Sequence, residues 1–583
     1  MKPFFFKDPS RRFRFVGLVI FLLVFTWPLV LSPFELIGHP LGEANNHFWM
    51  FWRAGQGAVV SNYPVGVSFT LMDPVNWPVF ALFARLDPAL GYNAVFVFNL
   101  CLAFLGASLL ARSLGVSRGA SFSAGVACCC SPFLAGLGSF GITEAWPIGW
   151  LGIHCALVLT WSKSGRLLHL VGAGLALVAF LYSGWYHAVF VLMVEVGFLA
   201  WFLSRSEKQK AALFSLQALV AGLCVLPVFV RFLGQRDFWQ GRWHGVPSES
   251  LPYWSEWREV PRTGADGVNL FLPSFSSVSV SNSVYLGLVV LLLCVWAGKR
   301  ARLLLAAAGF FVILSLGYRL TLMGHQTFWG GSVLLPAAWL TWVFDPLEGL
   351  THWYRALGPA VLFLAVAASM GVERLAQRRP VWLLLAPVLI LADSLWLSQT
   401  PWPRDQISVV PPRVYEHVDR GGGAVLQIPL HNQRRDFSDD VPRVHNLWQP
   451  LHGLVVAENY EGVDAVLDKR EGVFNPFVDE MQRMCLSDGV DGMPEQAQFL
   501  LDTEQRKMWL AELVKRGFVH IVVHGVGDRQ HMDAWQCGRF GAEREVRQQV
   551  ADRLVSVLGG LLGEPVFEAG GDVLFRLQVP ARN

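Results

Sequence analysis

Residues 167–210 read LLHLVGAGLALVAFLYSGWYHAVFVLMVEVGFLAWFLSRSEKQK. Two apolar runs, 167–183 and 187–203, are joined by the turn YSGWYH at 182–187 and followed by Arg205, Lys208 and Lys210. Each run approaches the ~20 residues a helix needs to cross a bilayer. Only Glu195 carries a charge inside them. A carboxylate at that depth costs about 2.5–3.5 kcal/mol on insertion scales, so it is protonated or faces an internal partner. One acid makes no proton relay, and a structural role is the simpler reading.

The pattern extends in both directions. Apolar runs stand at 15–32, 92–111, 119–139, 146–161, 211–230, 284–298, 303–318, 356–372 and 380–397. Together with the first two they make about eleven spanning helices. The loops that alternation places on one side carry Arg112 and Arg118, Lys163 and Arg166, Arg205 to Lys210, Lys299 to Arg302, and Arg374 to Arg379. Cationic loops mark the inner side. Lys2, Lys7, Arg11, Arg12 and Arg14 put the N-terminus there too, ahead of an uncleaved first helix. An odd helix count then puts residue 583 outside. The piece 76–84, interrupted by Pro78, is too short to span and reads as re-entrant or interfacial.

Composition agrees. The 583 residues are 53% hydrophobic and 16% charged, with mean hydropathy +0.40; soluble domains carry about 25% charge. A net charge of +3 gives no case for nucleic acid. Cys101, Cys128, Cys129, Cys130, Cys155, Cys224 and Cys294 lie in apolar runs as small packing residues. Cys485 and Cys537 alone fall in the polar tail, where an oxidising space would let them pair. There is no CxxC pair and no HExxH, so no metal ligand set is assigned.

Beyond residue 398, charges become frequent and no run spans. TPWPRD reads as a Pro-rich linker to a tail at 399–583 long enough for one domain. AVLQIPL (424–430) and FVHIVV (518–523) read as strands, and Thr503 opens a helix that stops at Gly517. PVFEAGGDVLFRLQV (565–579) reads as a hairpin about Gly570–Gly571. His417, His431, His445, His452, His520, His524 and His531 are scattered through this tail. His520 and His524, four apart on a strand, lie about 13 Å apart, too far to share an ion.

The first outer loop holds PLGEANNHFWMFWRAGQGAVVSNYPVG (40–66). As a helix it puts Glu43, Asn46 and His47 on one face, with Trp49, Trp52 and Arg53 one turn on. Such a face offers a base for an acceptor hydroxyl, a ring to stack on a sugar and a cation for phosphate. An amphipathic interfacial helix with its Trp residues in the aromatic belt reads equally well. Glu144, in TEAWP at an outer helix junction, reads first as a solvated turn residue and second as an acid converging on Glu43. The long loop 231–283 carries Arg231, Arg236, Arg242, Arg258 and Arg262 among Trp239, Trp243, Tyr253, Trp254 and Trp257. Arg grips phosphate bidentately and aromatic rings stack on sugars; a loop lying on anionic headgroups would look the same.

These pieces, in their order, resemble the bacterial integral-membrane glycosyltransferases of the GT-C fold that carry a C-terminal extracytoplasmic α/β domain. That group has an acid, usually Asp, six residues before a Trp, here Glu43 and Trp49, then Tyr-Pro-x-Gly, here Tyr63, Pro64 and Gly66. Glu144, Trp146 and Pro147 match a second outer loop, and Ser183, Trp185 and Tyr186 match a Ser-x-Trp-Tyr turn. Val284–Gly287 match a VYLG helix start, and Arg355 matches the Arg that leads the penultimate helix. In the tail, Gln449, His452 and Gly453 match QxxHG, and Leu513 to His524 match LVKRGxxxIVVH. Glu43 departs from the usual Asp by one methylene, and Trp52 stands closer to Trp49 than in the family.

The expectation is a polytopic α-helical membrane protein at 1–398, GT-C-like, with a soluble α/β accessory domain at 399–583 on the outer side of the bacterial cytoplasmic membrane. The resemblance implies transfer of a sugar from a polyprenyl-phosphate donor lipid to a glycan, lipid or protein acceptor of the cell envelope, with no nucleic acid involved. The competing class is a lipid or glycan transporter, or an assembly factor on the same scaffold. The expected catalytic residues are Glu43, His47 and Glu144. Those expected to bind substrate are Trp49, Arg53, Trp185, Tyr186, Arg231, Arg236, Arg242 and Arg258. No organic cofactor is called for, and a divalent cation is the one candidate.

Overall fold

The computed structural model describes residues 9–39, 42–55, 73–234, 264–272, 284–318, 320–322, 335–343, 352–398, 400, 402–419, 423–428, 444–454, 503–525 and 544–577. They fall into two compact units. The first holds the described residues at 9–39, 73–234 and 264–406, the second those at 42–55 and 407–577.

Each of the eleven apolar runs is helical in the first unit. The helices are Pro9–Phe25, Pro88–Ser113, Arg118–Cys129 continued by Pro132–Phe140, Ile148–Ser164, Leu167–Ser183, Trp185–Ser204, Lys208–Gly234, Leu288–Ala297, Arg302–Ser315, Leu357–Arg378 and Trp382–Trp396. Among the described residues, four stretches are long and apolar enough to cross a membrane by themselves: Pro88–Ser113, Arg118–Phe140, Lys208–Val228 and Trp353–Arg378. Their surroundings differ. Trp353–Arg378 is 94% buried over its apolar window and forms the middle of the unit, whereas Lys208–Val228 is only 28% buried and stands at its edge. Leu168, Val171, Leu175, Leu216, Leu219 and Leu223 point outward with more than half their surface exposed. A continuous apolar exterior of this kind is stable against lipid and not against water. The protein is an integral membrane protein.

Local chemistry explains where the helices start and break. The Asp87 carboxylate accepts from Leu90 N at 3.1 Å and Pro88 fills the first turn. The expected span 119–139 is two helices. Pro132 disfavours a helical Ser131 before it, and the Ser131 hydroxyl then caps the new helix by accepting from Leu134 N at 3.2 Å. Helices Pro88–Ser113 and Ile148–Ser164 cross backbone to backbone at Gly106, Gly149 and Gly152, where a Cβ on any of the three would collide with the other helix. The VYLG stretch is a helix start: Tyr285 donates to Asp393 at 2.9 Å, and Val289 N donates to the other Asp393 oxygen at 2.9 Å.

The expected cationic loops meet at one end of this unit. Arg300 pairs with Glu373 at 2.7 Å and donates to the carbonyls of Leu114 and Gly115. Lys163 donates to Ser113 O and Lys210 to Ser162 O. The piece at 76–84 is the helix Trp77–Phe83. Its seven residues reach about 10 Å, a third of a bilayer core, so it does not cross. It tucks against Pro88–Ser113, where Gly91 allows the approach of the Phe80 carbonyl. A short helix at Pro336–Val343 was not foreseen. Nor is TPWPRD a loose linker: Trp402 Nε1 donates to Val24 O, Arg404 N to Trp27 O and Arg404 Nε to Phe25 O, and its guanidinium lies 4.5 Å over the Phe25 ring. The first unit accordingly runs to Gln406 rather than ending at residue 398.

The second unit is built on a four-stranded sheet, in the order Ala424–Ile428, Phe518–Val523, Asp572–Arg576, Phe567–Ala569. The first pair is parallel and the other two are antiparallel. The hairpin turns at Gly570 and Gly571, both with positive φ, as the two-residue turn requires. Helices Thr503–Lys515 and Arg544–Leu562 cover the sheet and close a core of Leu426, Ile521, Phe575, Leu513 and Leu554. Helix Ala44–Ala54, from the first outer loop, packs in this unit against helix Val444–His452. Cys485 and Cys537 lie outside the described residues, as do Tyr63, Pro64 and Gly66.

Candidate functional site

Two polar clusters stand out, one in each unit. The cluster in the membrane unit begins at Asp73, fully buried just before the helix Trp77–Phe83. Asn76 Nδ2 donates to Asp73 Oδ2 at 2.6 Å, and Asn99 Nδ2 donates to Asn76 Oδ1 at 3.0 Å. Burial pushes the Asp73 carboxyl well above the usual carboxylate range. The Asn76 amide opposes that rise, the nearby Glu144 charge adds to it, and Thr143 weakly opposes it. Burial thus favours its neutral form, which can donate a proton or a hydrogen bond.

Glu144 lies on the turn Thr143–Ala145, set by Gly141 in the left-handed conformation. The solvated-turn reading fails. Glu144 is 6% exposed, and its Oε1 accepts from Arg355 Nη1 at 3.0 Å. Arg355, 3% exposed, comes from the turn Trp353–Ala356 that leads into the central helix. Neighbouring Trp146 is locked edge-on between Tyr92 and Phe96, which holds the turn inward. Gly184 packs against the Glu144 carbonyl, where a Cβ would collide. The Ser-x-Trp-Tyr turn therefore meets the acid through backbone. The side chains of Trp185 and Tyr186 lie outside the described residues.

In the second unit Glu43 immediately precedes helix Ala44–Ala54, and its carbonyl accepts from Asn46 N and His47 N. Its Oε2 stands 3.5 Å from His47 Nε2. The pair is lopsided: the Glu43 side chain is 41% exposed and that of His47 only 5%. A reachable carboxylate backed by a buried imidazole is what a general base needs. Trp49 is no stacking shelf. Its ring is 1% exposed and its Nε1 donates to Gln449 Oε1 at 2.5 Å, so the tail has taken its face. Arg53 is likewise buried, at 4%. The backbone of Arg231 belongs to helix Lys208–Gly234, while its side chain, together with Arg236, Arg242 and Arg258, lies outside the described residues.

Three features escaped the sequence reading. Asp73, followed by Pro74, looks like an ordinary turn. Glu195 has a partner on another helix: His154 Nε2 lies 2.6 Å from its Oε1, and His154 Nδ1 donates to Ala173 O at 2.9 Å. In the tail, two of the scattered histidines belong to a network. His524 Nδ1 donates to Asp572 at 3.2 Å, and Tyr415 donates to His524 Nε2 at 2.9 Å while accepting from Gln427 at 2.6 Å. His452 stacks on the same tyrosine at 4.2 Å. His520 is separate, and burial beside Arg576 lowers its pKa. Among the described residues no group of three or more His, Cys, Asp or Glu could hold a metal ion.

No family model matches the chain, and no curated protein does. Solved structures similar to it are GT-C glycosyltransferases. Arabinofuranosyltransferase AftD from Mycobacteria matches with a TM-score of 0.46 at 14% identity, over 88% of this chain and 36% of that one. ArnT from Cupriavidus metallidurans matches in the apo state at 0.41 and 11%, over 98% of this chain and 99% of that one. The same enzyme bound to undecaprenyl phosphate matches at 0.40 and 10%. The chain thus spans about a third of the AftD structure. At TM-scores below 0.5 the likeness is a distant one, and no activity passes from these enzymes to this chain.

Proposed function

We propose that the protein is a membrane glycosyltransferase that moves a sugar from a polyprenyl-phosphate-linked donor to a cell-envelope acceptor on the outer face of the cytoplasmic membrane. The observation that carries this reading is the half-exposed Glu43 carboxylate, 3.5 Å from the buried His47 imidazole. In the proposed step Glu43 takes the proton of the acceptor hydroxyl. The freed oxygen attacks the anomeric carbon, the bond from that carbon to the phosphate oxygen breaks, and polyprenyl phosphate leaves with the electron pair. His47 orients the carboxylate. Glu144 acts at one remove, by holding the Arg355 cation in place. The arginines of 231–283 supply charge for the donor phosphate, and the N-terminus lies inside. A divalent cation has no assigned ligand set in this scheme.

The transporter reading asks for a polar path past Glu195. Glu195 and His154 close on each other, and no observation favours that reading. The test is Glu43→Gln, which keeps shape and removes charge. Transfer, followed as polyprenyl phosphate released in membranes carrying the protein, should fall by roughly 10²–10⁴-fold, the usual worth of a general base. Glu43→Asp should retain part of it. Wild-type turnover in Glu43→Gln would remove the catalytic role.

A further inference from the structure

The stretch Gln449-Pro-Leu-His-Gly453 does a local job that has a distant effect. It ends helix Val444–His452: Gly453 N donates to Gln449 O at 2.8 Å with Gly453 left-handed at φ +67°. Leu454 N donates to His452 Nδ1 at 3.0 Å, and Gln449 Nε2 donates to Leu454 O at 3.1 Å. With its amide nitrogen committed, the Gln449 side chain can present only its oxygen outward. That oxygen receives the Trp49 N–H at 2.5 Å. Both side chains are 1% exposed, so the bond is made without competing water.

Behind it the cap is rigidly backed. His452 stacks on Tyr415, Tyr415 donates to His524, and His524 donates to Asp572 on the sheet. A line of contacts therefore runs from the sheet through the Gln-x-x-His-Gly cap to helix Ala44–Ala54, across a bond between residues 400 apart in the chain. Trp49 lies two residues after His47 and six after Glu43.

We propose that Gln449 is a positioning residue: the tail, through this cap, fixes the helix that carries Glu43 and His47. The inference rests on the reading of Glu43 as the base. It gives the tail a part in setting the reacting geometry.

The test uses the full-length protein and two variants that delete the bond from either side, Gln449→Leu and Trp49→Phe. Each should lower kcat by about 10- to 100-fold, the cost of a small misplacement, with the donor KM within about twofold, because uniform binding is untouched. In a Glu43→Gln background neither should lower turnover further, since both act through that carboxylate. Amide hydrogen exchange, which needs no activity, should quicken in residues 42–55 in both variants and stay unchanged in strand 518–523. Gln449→Glu keeps an acceptor for Trp49 and should restore part of kcat. Unchanged exchange in 42–55, or a wild-type kcat in both single variants while Glu43→Gln is inactive, overturns the positioning role and leaves the proposed base standing. Full turnover in Glu43→Gln alone overturns the base, and the exchange result then decides whether the cap still holds the helix.

Discussion

Asp73 and Glu43 are both acids that shortly precede a helix, and the protein treats them in opposite ways. Asp73 is sealed in the membrane unit with two asparagines in series, and burial favours its neutral form. Glu43 keeps 41% of its side chain exposed and leans on a buried histidine. Glu144 is a third case, an acid buried at the cost of a dedicated guanidinium. The difference teaches that the surroundings, more than the residue type, decide which carboxyl is available to take a proton.

The largest effect expected on stability is at Glu144–Arg355. Breaking one partner of a buried pair leaves the other charge uncompensated and costs about 3–5 kcal/mol. Arg355→Met alone should therefore melt well below wild type in detergent. The double variant Glu144→Gln with Arg355→Met should recover much of the loss. Equal losses in single and double variants would show that the pair is not what holds the turn.

A smaller and pH-dependent effect is expected at Asp73. Its folded pKa is raised above the ordinary 3.8, so the native state binds the extra proton. Stability then falls as pH rises from about 4 toward the folded pKa, because the unfolded chain ionises first. Asp73→Asn removes that slope. Thermal melts should show the variant gaining on wild type as pH rises above about 4, and a difference independent of pH would contradict the raised Asp73 pKa.

Much of this was legible in the sequence, and the gaps have one physical origin. Apolar run length and cationic loops are local signals, and each expected run is helical, 119–139 as two helices broken before Pro132. The strands at 424–428 and 518–523 and the hairpin at Gly570–Gly571 were equally local. What could not be read were partners far apart in the chain: Arg355 for Glu144, His154 for Glu195, Gln449 for Trp49. Trp49 and Glu144 sit on what reads as an outer loop and an outer turn, and packing against partners distant in sequence buries them. QxxHG was visible as a motif, but its use as a cap aimed at Trp49 needed coordinates.

The side on which these acids act is a weaker but clean test. An alkaline phosphatase fused after residue 583 should be active, which would put the unit that carries Glu43 outside. A silent phosphatase beside an active cytoplasmic reporter at the same point would reverse the arrangement.

The central claim is that Glu43, and not Asp73, takes the acceptor proton. The most direct measurement is turnover of Glu43→Gln beside Asp73→Asn, in the same membranes, at neutral pH and saturating donor. The account predicts a loss of roughly 10²–10⁴-fold in Glu43→Gln and a far smaller one in Asp73→Asn, which keeps the side chain's shape and an oxygen to accept from Asn76. The opposite order, with Asp73→Asn inactive and Glu43→Gln near wild type, would contradict it.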